Sequence, residues 1–326
     1  RYKLPEYEEN ETVYRAVADC LVEHNVRAFF YIGGNDSMDT VMKLSRYFEQ
    51  TRRDIRVIGI PKTIDNDLCC TDHTPGFGSA AKYVNTTLQE IARDSTAYSV
   101  RSVTIVEIMG RNAGWLTAST CLLHTHGETA PHLIYLPEVP FSVDGFLEDV
   151  RAAQKQHRSV IVAVSEGIEI PEAAAGGSYR SGAKDIFGHR YLSGVGKRLE
   201  EIVSREIGCK VRSIELNVMQ RCAAHIASKT DLEEAEAIAA AGVQAALAGE
   251  SGKMMCFNRL SDDPYTVDFF AAEAGKVANH EKKFPIEWIN ETKNGVLPPA
   301  VAYFRPLICG ESYPVMQDGL PLHFKL

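Results

Sequence analysis

The sequence lacks an excess of positive charge, paired cysteine motifs and long hydrophobic runs. The 326 residues carry a formal net charge of −8, which argues against a nucleic-acid partner and requires any anionic ligand to be held by local cations and backbone N–H groups. The eight cysteines show no C-x-x-C spacing, so neither a zinc site nor a disulfide framework is indicated. Scattered free thiols are typical of a reducing cytosol. No apolar stretch reaches the roughly 18 residues of a membrane helix, and we therefore expect a cytoplasmic protein with no membrane partner.

Strand and helix patterns alternate along the chain. Apolar runs that end in glycine or polar loops predict buried parallel strands, and apolar stripes at helical spacing predict helices. The predicted strands are 26–34, 54–60, 102–110, 132–137, 160–167, 210–218 and 253–258, and the predicted helices are 11–24, 36–50, 77–94, 113–123, 143–157, 196–207 and 231–249. This alternation predicts an α/β fold with mostly parallel sheets covered by helices on both faces. Residues 173–190 are rich in glycine and predict a loop, and the pattern weakens after about residue 260.

The first motif at a strand end is "YIGGNDSMDT", in which two glycines precede Asn35, Asp36 and Ser37 and then a helix. Glycines let a ligand approach the backbone, and the helix start offers free N–H groups to a phosphate. The alternative is an ordinary turn with Asp36 or Ser37 as the helix N-cap. A short glycine motif alone does not decide between them.

The second motif, "GIPKTIDND", is more specific, because it places two carboxylates behind a lysine at the end of an apolar strand. Asp65 could accept a proton from an attacking hydroxyl. Asp67 could orient Asp65 or face a metal-bound water, and Lys62 could neutralise phosphate charge. The alternative is an Asx-turn loop with solvated acids.

Further polar residues follow other predicted strands. Arg111 ends "EIMGR" and offers a bidentate fork for phosphate or carboxylate, and Glu166 ends "AVSE" as an acceptor suited to sugar hydroxyls. Arg212 and Arg221 flank another strand and its turn. Each residue alone could be an ordinary surface group or helix cap, but open α/β sheets bind their ligands at the carboxyl ends of strands, so their convergence favours a site.

Four conspicuous side chains are interpreted as structural. His124 and His126 have no further ligand nearby in the sequence, so a solvated pair is favoured over a metal site. Trp115 and Trp288 are expected in the core rather than as ligand platforms.

Five segments that follow one another in a fixed order give the chain a specific resemblance to the phosphofructokinase family. They are "RYKLPEYEENETVYRAVADCLVEHNVRAFFYIGGNDS", "GIPKTIDND", "VEIMGR", "SEGI" and "RSIELNVMQR". The resemblance implies two Rossmann-like lobes with the active site between them. The expected lobes are 1–76 plus 221–295 for the phosphoryl donor and 77–220 for fructose 6-phosphate, with 296–326 left unassigned.

The resemblance also implies roles for individual residues. Asp65 is the expected base that deprotonates the C1 hydroxyl of fructose 6-phosphate. The expected sugar-phosphate contacts are Thr63, Ile64, Asp65, Asp67, Met109, Gly110, Arg111, Glu166, Arg212, Val218 and Arg221, and the expected donor contacts are Arg1, Gly34 and Lys62. Mg²⁺ is the implied cofactor, with Asn35 facing it, and a homodimer or homotetramer is the implied assembly.

Donor identity is expected to depend on Asp36 and Lys62. ATP-using relatives have glycine at both positions, which leaves space for a nucleotide. Here an aspartate would repel the nucleotide α-phosphate, and a lysine matches a small polyanion. The pair resembles that of pyrophosphate-dependent members, which implies reversible transfer from pyrophosphate to fructose 6-phosphate in glycolysis and gluconeogenesis.

The sequence departs from the family pattern in several places. The first strand and its Gly-rich phosphate loop would precede Arg1, so we expect at least one βα unit, about 30 residues or more, to be missing from the chain and a cleaved amino-terminal piece to be a further partner. Asn35 replaces an aspartate that many relatives use for magnesium, and Val218 replaces a histidine or tyrosine. Arg101 lies one residue from an arginine that relatives lend to a neighbouring subunit.

Two alternative functions remain. An ATP-dependent phosphofructokinase would differ only in its donor, and Asp36 and Lys62 argue against it. A non-catalytic sugar-phosphate sensor would be expected to lose Asp65 or Arg111, and both are present.

Overall fold

The computed structural model describes residues 2–171 and 194–323 and divides the main strands between two sheets. The strands are β1 (Ala28–Gly33), β2 (Arg56–Pro61), β3 (Ser102–Ile108), β4 (Leu133–Tyr135), β5 (Ser159–Ser165), β6 (Lys210–Glu215), β7 (Ala227–Ser228), β8 (Lys253–Asp262), β9 (Tyr265–Glu273), β10 (Glu311–Ser312), β11 (Met316–Gln317) and β12 (Leu320–Pro321). Arg1 and the predicted loop 173–190 lie outside the described residues.

Helices connect and cover these strands. They are α1 (Glu11–Glu23), α2 (Asn35–Gln50), α3 (Phe77–Thr96), α4 (Trp115–Ala118), α5 (Val143–Gln156), α6 (Val195–Ile207), α7 (Met219–Cys222), α8 (Lys229–Leu247), α9 (Ala274–Val277) and α10 (Pro298–Phe304), with 3₁₀ turns at Ser119–His126, Ile286–Trp288 and Arg305–Ile308. None of the helices within the described ranges is both long enough and apolar enough to cross a membrane.

The first sheet has the order β1-β2-β8-β9, with parallel pairing from β1 to β8. Its central strand β2 is almost wholly buried, because its apolar residues face helices on both sides. Helix α8 approaches β2 closely at Gly242, where a Cβ atom would lie 2.4 Å from the Ile60 side chain. A larger residue at this position would therefore require the Ile60 side chain to shift.

The second sheet, with the order β4-β5-β3-β6, is parallel throughout. Its strand β5 is buried at every position, as the unbroken apolar run "VIVAV" predicts. The register pairs Ile108 of β3 with Ser165 of β5, so the two strands end level with each other. This register brings the residues that follow both strands to one edge of the sheet. The predicted α/β fold with mostly parallel sheets is confirmed.

The predicted ending of the first sheet was wrong. Residues 253–258 were expected to form a last short strand, but β8 runs to Asp262 and turns back as the antiparallel strand β9. The half-buried side chains of Tyr265, Val267 and Phe269 alternate with exposed neighbours, which is the period-2 signal of a strand covered on one face. The predicted helix 113–123 is also shorter, because α4 gives way to a 3₁₀ turn at Ser119.

The segment 296–326, left unassigned above, contributes to the core. Phe304 of α10 is fully buried and packs near Phe77, Trp115 and Phe284, with ring centroids 5.8–6.3 Å apart. Trp115 is buried as expected, and Trp288 packs against the same cluster. His124 is exposed and contacts the Pro131 carbonyl oxygen. The strands of the first sheet lie within 1–76 plus 221–295, and those of the second sheet lie within 77–220. The lobe boundaries and the ligand of each lobe stay predictions.

We expect Phe304→Ala to lower the free energy of unfolding by about 3–5 kcal/mol, because it leaves a cavity in this aromatic cluster. Chemical denaturation measures the change. Tyr313→Ala is the control, because Tyr313 is 83% exposed and its truncation should cost less than about 0.5 kcal/mol. Equal losses in the two variants would contradict a core role for α10.

Candidate active site

The loop after β2 holds Asp65 in a defined position. The backbone N–H of Lys62 donates to the Gly33 carbonyl at 3.0 Å, which joins this loop to the end of β1. The Thr63 hydroxyl lies 3.3 Å from an Asp65 carboxylate oxygen and accepts from the Asp65 backbone N–H at 3.1 Å. Asp65 is half-buried and Lys62 is exposed. Ile64 packs against the large core cluster and so anchors the loop to the core.

Asn66 is a site residue that sequence reasoning missed. It has a φ of 56° and is fully buried, and Asn is among the few non-glycine residues that tolerate this left-handed conformation. Its side-chain nitrogen donates to the Tyr303 hydroxyl at 2.8 Å. The Asn between two aspartates was a usable signal for a left-handed turn, but its partner lies too far along the chain to be predicted.

The ends of β3 and β5 are in intimate contact. The Glu166 N–H donates to the Ile108 carbonyl at 2.9 Å, and the Gly110 N–H lies 3.4 Å from a Glu166 carboxylate oxygen. Gly110 has a φ of 142°, and a Cβ there would lie 2.6 Å from the Ala113 carbonyl oxygen. Glycine is required here because the backbone has a positive φ and because a Cβ atom would clash with the Ala113 carbonyl oxygen.

Arg111 and Gln220 carry buried polar atoms that have no partner in the described part of the chain. The Nε atom of Arg111 and the side-chain nitrogen of Gln220 are buried without a hydrogen-bond acceptor among the described residues. Gln220 accepts from the Met109 N–H at 3.2 Å and so fastens the Arg111 turn to α7. Sequence reasoning missed Gln220 because a glutamine in "NVMQR" shows no distinguishing pattern. Buried donors without acceptors are uncommon, so the site is suited to an anionic or hydroxylated ligand.

Burial and mutual charge perturb the carboxylates. Burial raises the pKa of Asp65, while the Thr63 hydroxyl and the charges of Arg111, Lys62 and Arg221 act in the opposite direction. Asp65 is therefore influenced by three positive charges from three different segments. Its raised pKa makes the ionised carboxylate a stronger proton acceptor, as a general base requires.

Glu166 and Asp67 are perturbed in the same direction. Burial raises the pKa of Glu166 to about 7, with a further increase from Asp65 and opposition from the Gly110 N–H and Arg111. Burial raises the pKa of Asp67 to about 7 as well, and repulsion from Asp65 and Glu281 adds to the effect. Three acids therefore share one neighbourhood, an arrangement found often at functional sites.

The glycine turn after β1 adjoins this loop. Gly34 lies beside Thr63, with 3.8 Å between the position of a Gly34 Cβ and the Thr63 Cβ. With its nitrogen turned toward the chain after β9, the Asn35 amide donates to the carbonyls of Val277 and His280, both at 2.9 Å. Asp36 is exposed in the first turn of α2.

Some predicted site residues lie apart from this cluster. Arg212 is exposed on β6, pairs with Asp94 at 3.6 Å, and lies three residues before the end of its strand, roughly 10 Å along it. Val218 is 46% exposed just before α7. Within the described ranges, no three His, Cys, Asp or Glu side chains are grouped to hold a metal ion.

The comparisons with known proteins agree on one family. The phosphofructokinase family model matches residues 2–246. A pyrophosphate–fructose 6-phosphate 1-phosphotransferase from Xanthomonas campestris is 42% identical over the whole chain and 78% of the relative's length. The same enzyme from Halomonas elongata is 38% identical with the same coverage. The crystal structure of a pyrophosphate-dependent phosphofructokinase from Marinobacter aquaeolei superposes with a TM-score of 0.83 at 35% identity, covering 96% of this chain and 78% of that one.

The raised pKa of Glu166 predicts a pH dependence of stability. A carboxyl whose pKa rises from about 4.5 to about 7 on folding binds its proton more tightly in the folded state, so its contribution to stability is lost as the pH rises through about 7. Glu166→Gln should therefore lose less stability than the parent between about pH 5 and pH 8. Urea unfolding of the ligand-free protein at both values measures this.

Glu49→Gln is the matched control, because Glu49 is exposed at the end of α2. Its fall in stability should equal that of the parent. If Glu166→Gln behaves as the parent does, then Glu166 is ionised in the folded protein throughout this range and the proposed perturbation is absent.

Proposed function

The chain belongs to the phosphofructokinase family, and we propose that it transfers a phosphoryl group reversibly between pyrophosphate and the C1 hydroxyl of fructose 6-phosphate. The products in the forward direction are fructose 1,6-bisphosphate and phosphate. The observation that carries the proposal is the position of Asp65, a half-buried carboxylate under the influence of Arg111, Lys62 and Arg221. A base beside three cations matches a reaction between a hydroxyl and a polyanion.

The chemical step assigned to Asp65 is proton removal. As the C1 oxygen attacks the terminal phosphorus of pyrophosphate, the hydroxyl proton passes to the Asp65 carboxylate. The anhydride P–O bond breaks, and its electron pair leaves with the departing phosphate. The cations around Asp65 stabilise charge on the phosphoryl oxygens, which is the main requirement for phosphoryl transfer.

The sugar phosphate is assigned to the residues at the ends of β3 and β5. Arg111 has a buried Nε without an acceptor among the residues that the structure describes, so it is suited to binding an oxygen of the ligand. Glu166 accepts hydroxyl hydrogen bonds, and Arg221 supplies further positive charge. The remaining proposed contacts are Thr63, Ile64, Asp67, Met109, Gly110, Arg212 and Val218, with Arg212 the least supported because it lies outside the cluster.

Pyrophosphate is assigned to the junction of the β1 and β2 loops. The exposed Lys62 and the glycine turn at Gly34 adjoin Asp65 there. Asp36 excludes a nucleotide by charge and bulk. An ATP-dependent enzyme remains the alternative, and both residues disfavour it. A non-catalytic sensor is disfavoured because Asp65 and Arg111 are present and positioned.

Mg²⁺ is the proposed cofactor. The repulsion from Asp65, which adds to the effect of burial on the pKa of Asp67, would be relieved by a divalent cation. Asn35, the first residue of α2, is the proposed amide oxygen donor. This sparse set of oxygen donors fits Mg²⁺, which usually binds through one or two carboxylates, waters and substrate phosphates. When bound, Mg²⁺ would neutralise charge on the pyrophosphate oxygens.

The cellular setting and assembly are also proposals. The eight cysteines are all free, which supports a cytoplasmic location. A homodimer or homotetramer follows from the family resemblance. The donor lobe is proposed as 1–76 plus 221–295 and the sugar-phosphate lobe as 77–220.

Asp65→Asn should lower kcat by about 10²- to 10⁴-fold, because it removes the general base. The affinity for fructose 6-phosphate should stay near that of the parent. Asp54→Asn is the control, because Asp54 is exposed just before β2, the strand that Asp65 follows. Steady-state kinetics with pyrophosphate and Mg²⁺ test both variants. An Asp65→Asn variant that keeps more than about half of the parental kcat rules out the assigned role.

Donor choice is tested by glycine substitutions at Asp36 and Lys62. Asp36→Gly should allow weak ATP-dependent activity by removing a repulsive element. Lys62→Gly should chiefly weaken pyrophosphate binding, because a charge-assisted bond contributes about 1.5–3 kcal/mol. The double variant should favour ATP most. The ratio of kcat/KM for the two donors is the measurement, and an unchanged ratio in Asp36→Gly, or equal use of both donors by the parent, contradicts the pyrophosphate assignment.

A further inference from the structure

Tyr303 connects two points of the loop that carries Asp65. Its hydroxyl accepts a hydrogen bond from the Asn66 side-chain nitrogen at 2.8 Å and donates to the Asp72 carbonyl at 2.7 Å. Asn66 adjoins Asp65, while Asp72 lies near the other end of the loop. The Tyr303 hydroxyl therefore accepts one hydrogen bond and donates another, and in this way it bridges the two ends of the Asp65 loop.

The tyrosine ring is itself firmly placed. It packs against Trp115 with ring centroids 5.2 Å apart, and the Arg259 guanidinium lies 4.4 Å from the ring centroid. Only 8% of Tyr303 is exposed. Trp115 follows the Arg111 turn in the chain. Tyr303 therefore links the Asp65 loop to the segment that carries Arg111.

Asn66 depends on this contact more than on any other. Its side-chain oxygen is buried without a hydrogen-bond partner among the described residues, so the bond to Tyr303 is the polar restraint on the amide. Its φ of 56° also means that the backbone on either side of it follows an uncommon path. A second restraint on the loop is the Lys282 N–H, which donates to the Asp67 carbonyl at 2.7 Å.

We propose that Tyr303, acting through Asn66, is a positioning residue that holds the Asp65 carboxylate in its reactive orientation relative to Arg111. The inference rests on the proposed function, because it takes Asp65 as the base. The tyrosine touches no reacting atom. Its contribution is to hold Asn66 in its left-handed conformation. A displacement of a reactive group by about 1 Å can cost about 10²-fold in rate.

Tyr303→Phe tests the proposal, because it keeps the ring and removes only the hydroxyl. We expect kcat to fall by about 10- to 100-fold, while KM for fructose 6-phosphate changes by less than about threefold. The assay uses the full chain with pyrophosphate, fructose 6-phosphate and Mg²⁺. Thermal unfolding of the same samples reports whether the fold is retained.

Tyr135→Phe is the matched control. Tyr135 is 6% exposed, and its hydroxyl donates to Asp149 at 2.8 Å in a core cluster that does not include Tyr303. The variant therefore loses one buried tyrosine hydroxyl without affecting the Asp65 loop. Its kcat should remain within about twofold of the parent even if its stability falls as far as that of Tyr303→Phe.

A double-variant cycle separates positioning from general destabilisation. Asn66→Gly keeps access to a positive φ and removes the amide, so it should lower kcat as well. Because both side chains act through one hydrogen bond, Asn66→Gly combined with Tyr303→Phe should be no slower than the slower single variant. Multiplied losses in the double variant would overturn the coupling.

The outcomes distinguish this inference from the proposed function. If Asp65→Asn is inactive but Tyr303→Phe and Asn66→Gly keep the parental kcat, the positioning role is wrong and the function stands. If Asp65→Asn itself is active, the proposed function fails first. Should Tyr303→Phe unfold, Asn66→Gly still decides the matter by its kcat.

Discussion

The burial of neighbouring carboxylates is the constraint on which the rest of this structure depends. Asp65, Asp67 and Glu166 lie within one electrostatic neighbourhood, and burial is the largest influence on the pKa of each. Such groups remain in place only if hydrogen bonds and opposite charges offset the loss of water. Thr63 and the cations near Asp65, and the Gly110 N–H at Glu166, supply these interactions. Because β3 and β5 end level with each other, Glu166 lies beside the turn that carries Arg111.

A second layer of interactions holds the loops that carry these groups. His73, fully enclosed, lies 2.8 Å from both Asp72 and Glu234, and Arg259 contacts Asp72 at 2.9 Å. Burial alone would lower the pKa of His73, but the hydrogen bonds and charges of Asp72 and Glu234 outweigh it and raise that pKa. Tyr303 and Lys282 add contacts from the carboxyl-terminal part of the chain. The loop that carries Asp65 is therefore supported by α8, by the β8–β9 hairpin and by α10.

Sequence reasoning succeeded where local patterns determine structure. The apolar runs located the strands of both sheets, and the rule that ligands bind at strand ends drew attention to Lys62, Asp65, Arg111 and Glu166. It failed where the determining contact is remote. Asn66 is separated from Tyr303 by 237 positions, and no pattern near either residue reveals the other. Gln220 is a buried polar residue whose partner, the Met109 N–H, is a backbone atom common to every sequence. Strand β9 was missed because a strand covered on one face shows only alternating apolar residues, which is a weaker signal than the unbroken apolar run of a fully buried strand.

The hydrogen bond between Asn66 and Tyr303 also has a consequence for biosynthesis. The loop that carries Asp65 leaves the ribosome early, but Tyr303, whose hydroxyl closes the loop, is synthesised 237 residues after Asn66. At about 5–20 residues per second, more than ten seconds separate the two, and all four strands of the second sheet are synthesised in that time while the loop is still unrestrained. On the proposed positioning role, the strands of the second sheet are therefore available to fold before the hydrogen bond that closes the Asp65 loop can form.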